Sequence, residues 1–573
     1  MNAARRDYSV DRRLLPMSGM ALLIGAVSTA AAVVLLDLIR LCTNLFYYQT
    51  LSLAERAPAG HALGLWAIAA PVAGGLLVGL IARYGSDKIR GHGIPEAMEA
   101  ILFGQSRMSP KVALLKPLSS GIVIGSGGPF GAEGPIIMTG GSLGSLLAQR
   151  LHLTAAERKT LLVAGACAGM TAVFGTPVAA VLLAVELLLF ELRPRSLLPV
   201  ALACACAGFL RTLCFAAGPL FPLHTPPATL AALGSCLLAG LACGGLAALL
   251  TWGLYRVEDG FGKLRLHWMW WPALGGLVVG IGGWLQPRAL GVGYDVIGDL
   301  LNNRLLLEAA LALLAVKAVI WLLALGSGTS GGVLAPLLML GAGLGAALAP
   351  ALPGGSPELW ALACMAGVLG SVLGAPITAI VFAFGLTGDG SALLPLTLTT
   401  VVACGVTALT LKRSIMTEKI ARRGLHIHRE YSVDPLERLH VADVMTREAV
   451  AIDGATPAAD AWESFFGPRG HNGYPVLRDG RVVGLLLRRR LQGAEASRQP
   501  CVIWSEPLSP SQVLLAGMSA RHAAGRMAQL GFSRLPVVDG PDSMRLIGVV
   551  SLRDLLANSH VLLHEETVRE RLR

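Results

Sequence analysis

Moved along by 201 positions, the first part of this chain falls on its second. Gly125-Ser126-Gly127 meets Gly326-Ser327-Gly328, and Pro135-Ile136-Ile137-Met138 meets Pro336-Leu337-Leu338-Met339. The same shift pairs Lys116 with Lys317, Gly144 with Gly345 and Gly74-Gly75 with Gly275-Gly276, while a shift of 199 carries Gly175-Thr176-Pro177 onto Gly374-Ala375-Pro376. Chance similarity between apolar runs does not keep Gly, Pro, Lys and Met in step over such a span. Residues 17–220 and 221–411 are therefore two copies of one unit. Whether the copies are parallel or inverted is not legible from hydropathy; inversion would bring the starts of 125–141 and 326–341 together from opposite sides.

The solvent of these copies is lipid. Mean hydropathy is +0.62, with 54% hydrophobic and 14% charged residues, far from the balance of a soluble domain. Apolar segments lie near 17–48, 62–84, 113–124, 134–150, 160–192, 196–218, 228–255, 270–286, 306–325, 333–352, 359–386 and 391–411. Several are too short to cross a hydrocarbon layer of about 30 Å alone. Gly and Pro breaks inside them are tolerated only where backbone faces protein or a wet cavity. The net charge of +11 comes from arginine dense in the N-terminal tail and after Lys412. That pattern is positive-inside bias rather than a nucleic-acid footprint, and it puts both ends in the cytoplasm. The first apolar run, Met17 to Leu36, is long enough to span and has no cleavage pattern, so no secretory signal is expected. The ten cysteines lie mostly in apolar runs, with no C-x-x-C pair and no accompanying histidine; they read as small buried hydrophobes, not a metal site.

Residues 125–141 are the chemically unusual stretch. Seven glycines, two prolines and one carboxylate, Glu133, sit between apolar runs. A helix is expected to run from Pro135, since proline is tolerated at the first helical position. The glycines before it leave amide N–H groups pointing at open space. An acid at membrane depth beside free amides and a positive helix end describes an anion site with a built-in carboxylate.

Beyond Lys412 the texture is soluble. Residues 441–491 and 506–557 each read as helix, strand, strand, helix, pairing a proline-bearing strand (Gly473 to Leu477; Ser533 to Val538) with a second apolar strand (Gly480 to Leu487; Gly548 to Ser551).

Together these residues resemble the CLC family of chloride channels and chloride/proton exchangers followed by a tandem pair of CBS modules, over nearly the whole chain. Three loops carry the likeness: Gly91-His92-Gly93-Ile94-Pro95, Gly131-Ala132-Glu133-Gly134-Pro135 and Gly332-Val333-Leu334-Ala335-Pro336. The resemblance implies an all-α polytopic membrane protein of two inverted repeats of broken, tilted helices, with a C-terminal α+β tandem CBS domain. It implies a homodimer in the plasma membrane, chloride as the transported ligand, and no required cofactor or metal. The bounds expected are a tail 1–16, repeats 17–220 and 221–411, a linker 412–440 and CBS modules 441–573.

By that likeness Glu133 is the gating glutamate, competing with the anion when ionised and leaving when it swings aside or takes a proton. The residues alone also allow a structural carboxylate paired with Lys116. Gly91, His92, Gly93, Ile94, Gly131, Ala132, Gly134, Val333 and Leu334 are expected to line the path, acting chiefly through backbone N–H groups. His92 stands where the family often has serine; its ring either donates to the ion or points away. Lys116 either adds positive potential or is neutralised by a neighbour, and Glu96 reads as a capping carboxylate.

Two positions depart from the family pattern. Exchangers usually carry a second glutamate after a first on the proton route, and here Val185-Glu186-Leu187 puts Leu187 there, although some exchangers manage without that acid. The family's anion-binding tyrosine on the last membrane helix is matched by Met416, which has no donor. Both favour a passive channel; a chloride/proton exchanger and a fluoride-selective exporter are the alternatives. An enzyme is excluded by the lack of a nucleophile with a base and of a phosphate loop. In the second CBS module Ser551 and Asp554 fit either an adenine-nucleotide site or a plain helix cap. The first has Arg488, Arg489 and Arg490 instead, facing phosphates, lipid headgroups or water.

Overall fold

A computed structural model describes residues 12–425, 436, 439–467, 470–493 and 495–557. It divides into two units, Met1–Arg429 and Glu430–Arg573.

Among the described residues, the membrane unit has eight α-helices in each half, matched one to one. The first half holds α1 (Leu14–Tyr48), α2 (Ala69–Tyr84), α3 (Ile94–Leu102), α4 (Pro110–Gly125), α5 (Glu133–Gln149), α6 (Ala155–Phe174), α7 (Pro177–Leu183) and α8 (Pro194–Cys214). The second holds α9 (Ala232–Gly262), α10 (Trp271–Leu285), α11 (Tyr294–Leu301), α12 (Leu307–Gly326), α13 (Leu334–Leu348), α14 (Pro357–Leu373), α15 (Pro376–Thr387) and α16 (Leu393–Thr410). Seven helical spans are long and apolar enough to cross a membrane. The runs read as 160–192 and 359–386 are each two helices. Gly175 and Gly374 end α6 and α14 in the left-handed region, at φ 72° and 69°, and Pro177 and Pro376 start the next helix. Glycine closes and proline opens, in both copies. The short α3 and α11 are too brief to announce themselves by hydropathy.

Helix packing shows how the copies are oriented. A Cβ placed on Gly75 of α2 would stand 2.2 Å from the Pro272 carbonyl oxygen, and one on Gly79 would stand 2.1 Å from that of Met269. Reciprocally, Gly276 of α10 would meet the Pro71 oxygen at 2.2 Å and Gly280 that of Ile68 at 2.7 Å. As numbers rise on α2 they fall on α10, so these equivalent helices cross antiparallel, exchanging the same contact. The repeats are inverted. Only glycine permits so close an approach, and such small-residue seams are how helices associate where lipid removes the hydrophobic drive. Gly144 against Leu161 and Gly345 against Trp360 repeat the device in the α5–α6 and α13–α14 pairs, each carbonyl 2.2 Å from the added Cβ.

Two boundaries differ from the sequence reading. Helix α5 begins at Glu133 rather than Pro135. The first four N–H groups of a helix have no partner within it, so proline fits the third position as well as the first. A further helix, α17 (Ile415–Ala421), lies inside the stretch taken as linker; Ile415, Met416 and Ile420 are buried in the membrane unit's core. With only seven residues it carries too little apolar length to register in hydropathy, although the family likeness at Met416 implied a helix there. The cysteines are all free; most are buried, but Cys214 is exposed and Cys206 and Cys404 are half-buried.

The second unit has a four-stranded sheet in the order β1 (Ile452–Asp453), β2 (Gly473–Arg478), β3 (Arg481–Leu487), β4 (Glu506–Pro507), and a three-stranded one, β5 (Leu514–Leu515), β6 (Arg534–Val538), β7 (Leu546–Ser551). In each, a short strand pairs parallel with the proline-bearing strand, which pairs antiparallel with the next. Register shifts fall at Val476/Leu477 and Val537/Val538, the same place in both modules. The two-residue strands were beyond the reach of periodicity.

Candidate functional site

The three loops meet. Gly131 and Gly332, the same position in the two copies, bond to each other: Gly131 N–H donates to the Gly332 oxygen at 3.3 Å and Gly332 N–H to the Gly131 oxygen at 3.1 Å. This reciprocal pair marks the local two-fold relation between the repeats. A Cβ on Gly134 would lie 2.1 Å from the His92 oxygen and 3.1 Å from Gly332 Cα, so the first loop closes on the same point. Gly91 joins through Thr329, whose oxygen accepts from Gly91 N–H at 2.9 Å. The starts of α3, α5 and α13 thus converge, with Ile94, Ala132, Val333 and Leu334 all buried there.

Glu133, at the first position of α5, is fully buried. Its Oε1 accepts from Ala335 N–H at 3.1 Å, at the start of α13 in the other repeat. Oε2 has no hydrogen-bond partner among the described residues. The carboxylate folds back over its own loop, so that a Cβ on Gly131 would sit 1.8 Å from Oε2 and one on Gly332 2.6 Å from Oε1. Two helix N-termini direct their positive ends at one acid, with no cation paired to it among the described residues. That is where an anion would rest.

Lys116 is not its partner. The Lys116 ammonium donates to the carbonyls of Ile89 and Gly91, both at 2.8 Å, and so braces the first loop. Lys317 does the same in the other copy, donating to Ala289 and Gly291 at 2.9 Å each. Glu96 caps α3, accepting from Gly93 N–H at 2.8 Å, and its other oxygen lies 2.8 Å from Lys419 Nζ. Lys419 on α17 therefore presses against Gly91, which sequence reasoning missed because nothing near Lys419 in the chain hints at that neighbour. His92 is buried and its Nδ1 has no partner among the described residues. Met416, one turn before Lys419, is fully buried on α17, which packs against α3 and α14. A cavity of about 650 Å³ lined by Gly91, Glu96, Met138, Lys419 and Arg423 leads to this side of the loops.

Leu187 is fully buried in the π-helical turn Ala184–Leu189 that extends α7. Its neighbour Glu186 is already occupied. The carboxylate accepts from Thr378 N–H at 2.8 Å, Thr378 Oγ1 at 2.6 Å and Ile377 N–H at 3.2 Å, capping α15.

In the second unit Ser551 and Asp554 cap one another's backbone. Asp554 accepts from Ser551 N–H at 2.8 Å and from Ser551 Oγ at 2.7 Å. Both line a cleft of about 560 Å³ between the modules, with Tyr474, His471 and Arg534. Burial, and then Arg534, lower the His471 pKa. Two of the three neighbouring arginines are engaged within the unit. Arg488 donates to the Phe466 and Gly467 carbonyls and lies over the Trp462 ring, while Arg490 pairs with Glu506; Arg489 is exposed.

Comparison with known proteins gives these loops a context. The family model for the voltage gated chloride channel matches residues 74–408, and that for the CBS domain matches 441–496 and 507–560. The chain is 30% identical over 370 residues to the voltage-gated ClC-type chloride channel ClcB of Citrobacter koseri, covering 62% of this chain and 87% of that one. It is 27% identical over 421 residues to the H(+)/Cl(-) exchange transporter ClcA of Salmonella paratyphi A, covering 69% and 86%. Among solved structures, a slow cyanobacterial Cl−/H+ antiporter superposes with a TM-score of 0.63 at 22% identity, over 72% of this chain and 99% of that one. This last likeness speaks to the fold.

Proposed function

The chain belongs to the voltage-gated chloride channel family and transports chloride across a membrane, and we propose that it does so as a passive, gated channel. Each subunit of a homodimer carries one path, and Glu133 closes it. The observation that carries the channel reading is Leu187, an apolar side chain in the core where exchangers usually keep a proton-carrying acid, beside a Glu186 fully engaged as a helix cap. An alkyl group cannot relay a proton. Met416 adds to this, since a thioether offers the anion no donor, leaving the inner gate looser and anion binding there weaker. Both relatives' names, one a channel and one an exchanger, are compatible with the shared framework of loops.

Glu133 acts by occupancy. When ionised it takes the amides of α13 that would otherwise replace water around chloride; an arriving anion, or a proton, displaces it. Loop residues from Gly91 to Ile94, Gly131 to Gly134, and Val333 and Leu334 supply the N–H groups, and Lys116 braces the first loop. Both termini face the cytoplasm, and the cleft at Ser551 and Asp554 takes an adenine nucleotide; titration calorimetry with ATP and AMP that registers no heat would remove that last assignment.

Reversal potential in liposomes decides the main point. With chloride fixed and a proton gradient imposed, the channel reading expects no shift. A shift with pH would make the protein a chloride/proton exchanger, and preferential fluoride over chloride flux would make it a fluoride exporter.

A further inference from the structure

A second cavity, of about 620 Å³, lies at the opposite end of the path from Lys419. Because α2 and α10 cross antiparallel, the loop that follows α10 emerges on the face away from the loop that follows α2. That loop, Gly291-Val292-Gly293-Tyr294, is the inverted counterpart of Gly91-His92-Gly93-Ile94. Gly291 and Gly293 take positive φ as Gly91 and Gly93 do, and Lys317 braces it as Lys116 braces the other. It leads into α11, whose first turn lines the cavity.

Four arginines line this space, against the carboxylates Glu55 and Asp295. Arg40 is held by Asp37 and Glu55, and Arg288 by Asp299. Arg56 lies over the Tyr48 ring. Arg211 differs. It is 7% exposed, and no carboxylate pairs with it among the described residues. One Nη donates to the Ala216 oxygen at 3.1 Å and Nε is buried with no hydrogen-bond partner among the described residues. Its guanidinium lies against Gly175, next to Phe174, whose ring meets that of Tyr294 edge-on at 6.2 Å. The Tyr294 hydroxyl is likewise buried with no hydrogen-bond partner among the described residues. A buried guanidinium with no acid against it and one N–H unsatisfied, and a buried hydroxyl without a partner, on one cavity wall among the described residues, are costly unless a ligand completes them.

We propose that this cavity is an entry site for a small monovalent anion, held by Arg211 and Tyr294 before it reaches Glu133. The proposal rests on the transport reading above and adds a binding step to it. Chloride, the transported ion, is the occupant; a guanidinium is donor-only and a phenol O–H can turn its donor to the anion, which suits a halide. Placed on the far side from Lys419, with both termini cytoplasmic, the site faces outward.

Chloride influx into proteoliposomes containing the full chain, measured against external chloride, tests it. Arg211→Gln is expected to raise half-saturating chloride by about fivefold, within the range by which local charge concentrates a counter-ion, and to leave flux at saturation within about twofold. Tyr294→Phe, which keeps the ring packing, is expected to raise it about twofold. An unchanged half-saturation in both variants overturns the site. So does an Arg211→Gln effect that disappears in an impermeant sodium gluconate background, because that would be a distant field and not contact. Should Arg211→Gln fail to fold, anomalous diffraction from bromide-soaked wild-type crystals decides: bromide within hydrogen-bond distance of Arg211 supports the site, and bromide at the three loops alone overturns it. Wild-type protein that passes no chloride would instead sink the transport reading, so the two failures are told apart.

Discussion

Where the first repeat places Glu133 at the head of α5, the second places Leu334 at the head of α13. The two positions are equivalent and their surroundings nearly so: Gly131 and Gly332 bond to each other, and Lys116 and Lys317 brace matching loops with matching distances. What the copies share is scaffold, and what they do not share is chemistry. One carboxylate set against an alkyl side chain makes a symmetric meeting of helix ends chemically unequal, and on the function proposed above that carboxylate is the gate. His92 against Val292, and Ile94 against Tyr294, divide the two ends of the path in the same way. A single duplicated unit can thus furnish anion-binding amides from both sides, while a few unmatched residues decide which side does what.

The comparison breaks most completely at the shared glycines. Gly332→Ala would put a methyl group 2.6 Å from both the Gly131 oxygen and Glu133 Oε1, where backbone cannot retreat. Loss of chloride flux is expected, with the membrane unit destabilised by about 3 kcal/mol, read from flux and from detergent-resistant melting. Wild-type flux in this variant would mean that the crossing at Gly131 is not part of the path.

Glu133→Gln tests the unmatched position. Removing the charge makes the first repeat resemble the second, so chloride flux near neutral pH should rise on the order of tenfold and its pH dependence should flatten, as expected when one titrating group controls the rate. Flux that stays unchanged and still follows pH would reassign the gate.

Lys116→Met and Lys317→Met sharpen the matched part. Each strips two buried carbonyls of a charged donor, and each is expected to cost about 2–3 kcal/mol of stability, nearly alike in the two copies. Markedly unequal losses would show that the braces are equivalent in geometry alone.

Much of the architecture was legible in the chain because breaks in helices are local events. Gly175 before Pro177 and Gly374 before Pro376 end and restart helices through conformations and missing donors those residues carry with them. The Pro135 start was misplaced by two residues because proline fits several positions of a first turn equally well. Glu96 was readable as a cap because its partner, Gly93, is three residues away.

The sequence by itself determined the duplication, the positions of the breaks, the three loops and the solitary Glu133, since each is written in residue type and spacing. Only the tertiary structure decided that the repeats are inverted, that Ala335 and not Lys116 holds Glu133, that Lys419 reaches Gly91, that Glu186 caps α15, and that Arg211 has no paired acid among the described residues. The physical reason is that an apolar helix has the same hydropathy either way up in lipid. The partner of a buried charge is fixed by which way up its neighbours run, through contacts between residues up to some three hundred positions apart.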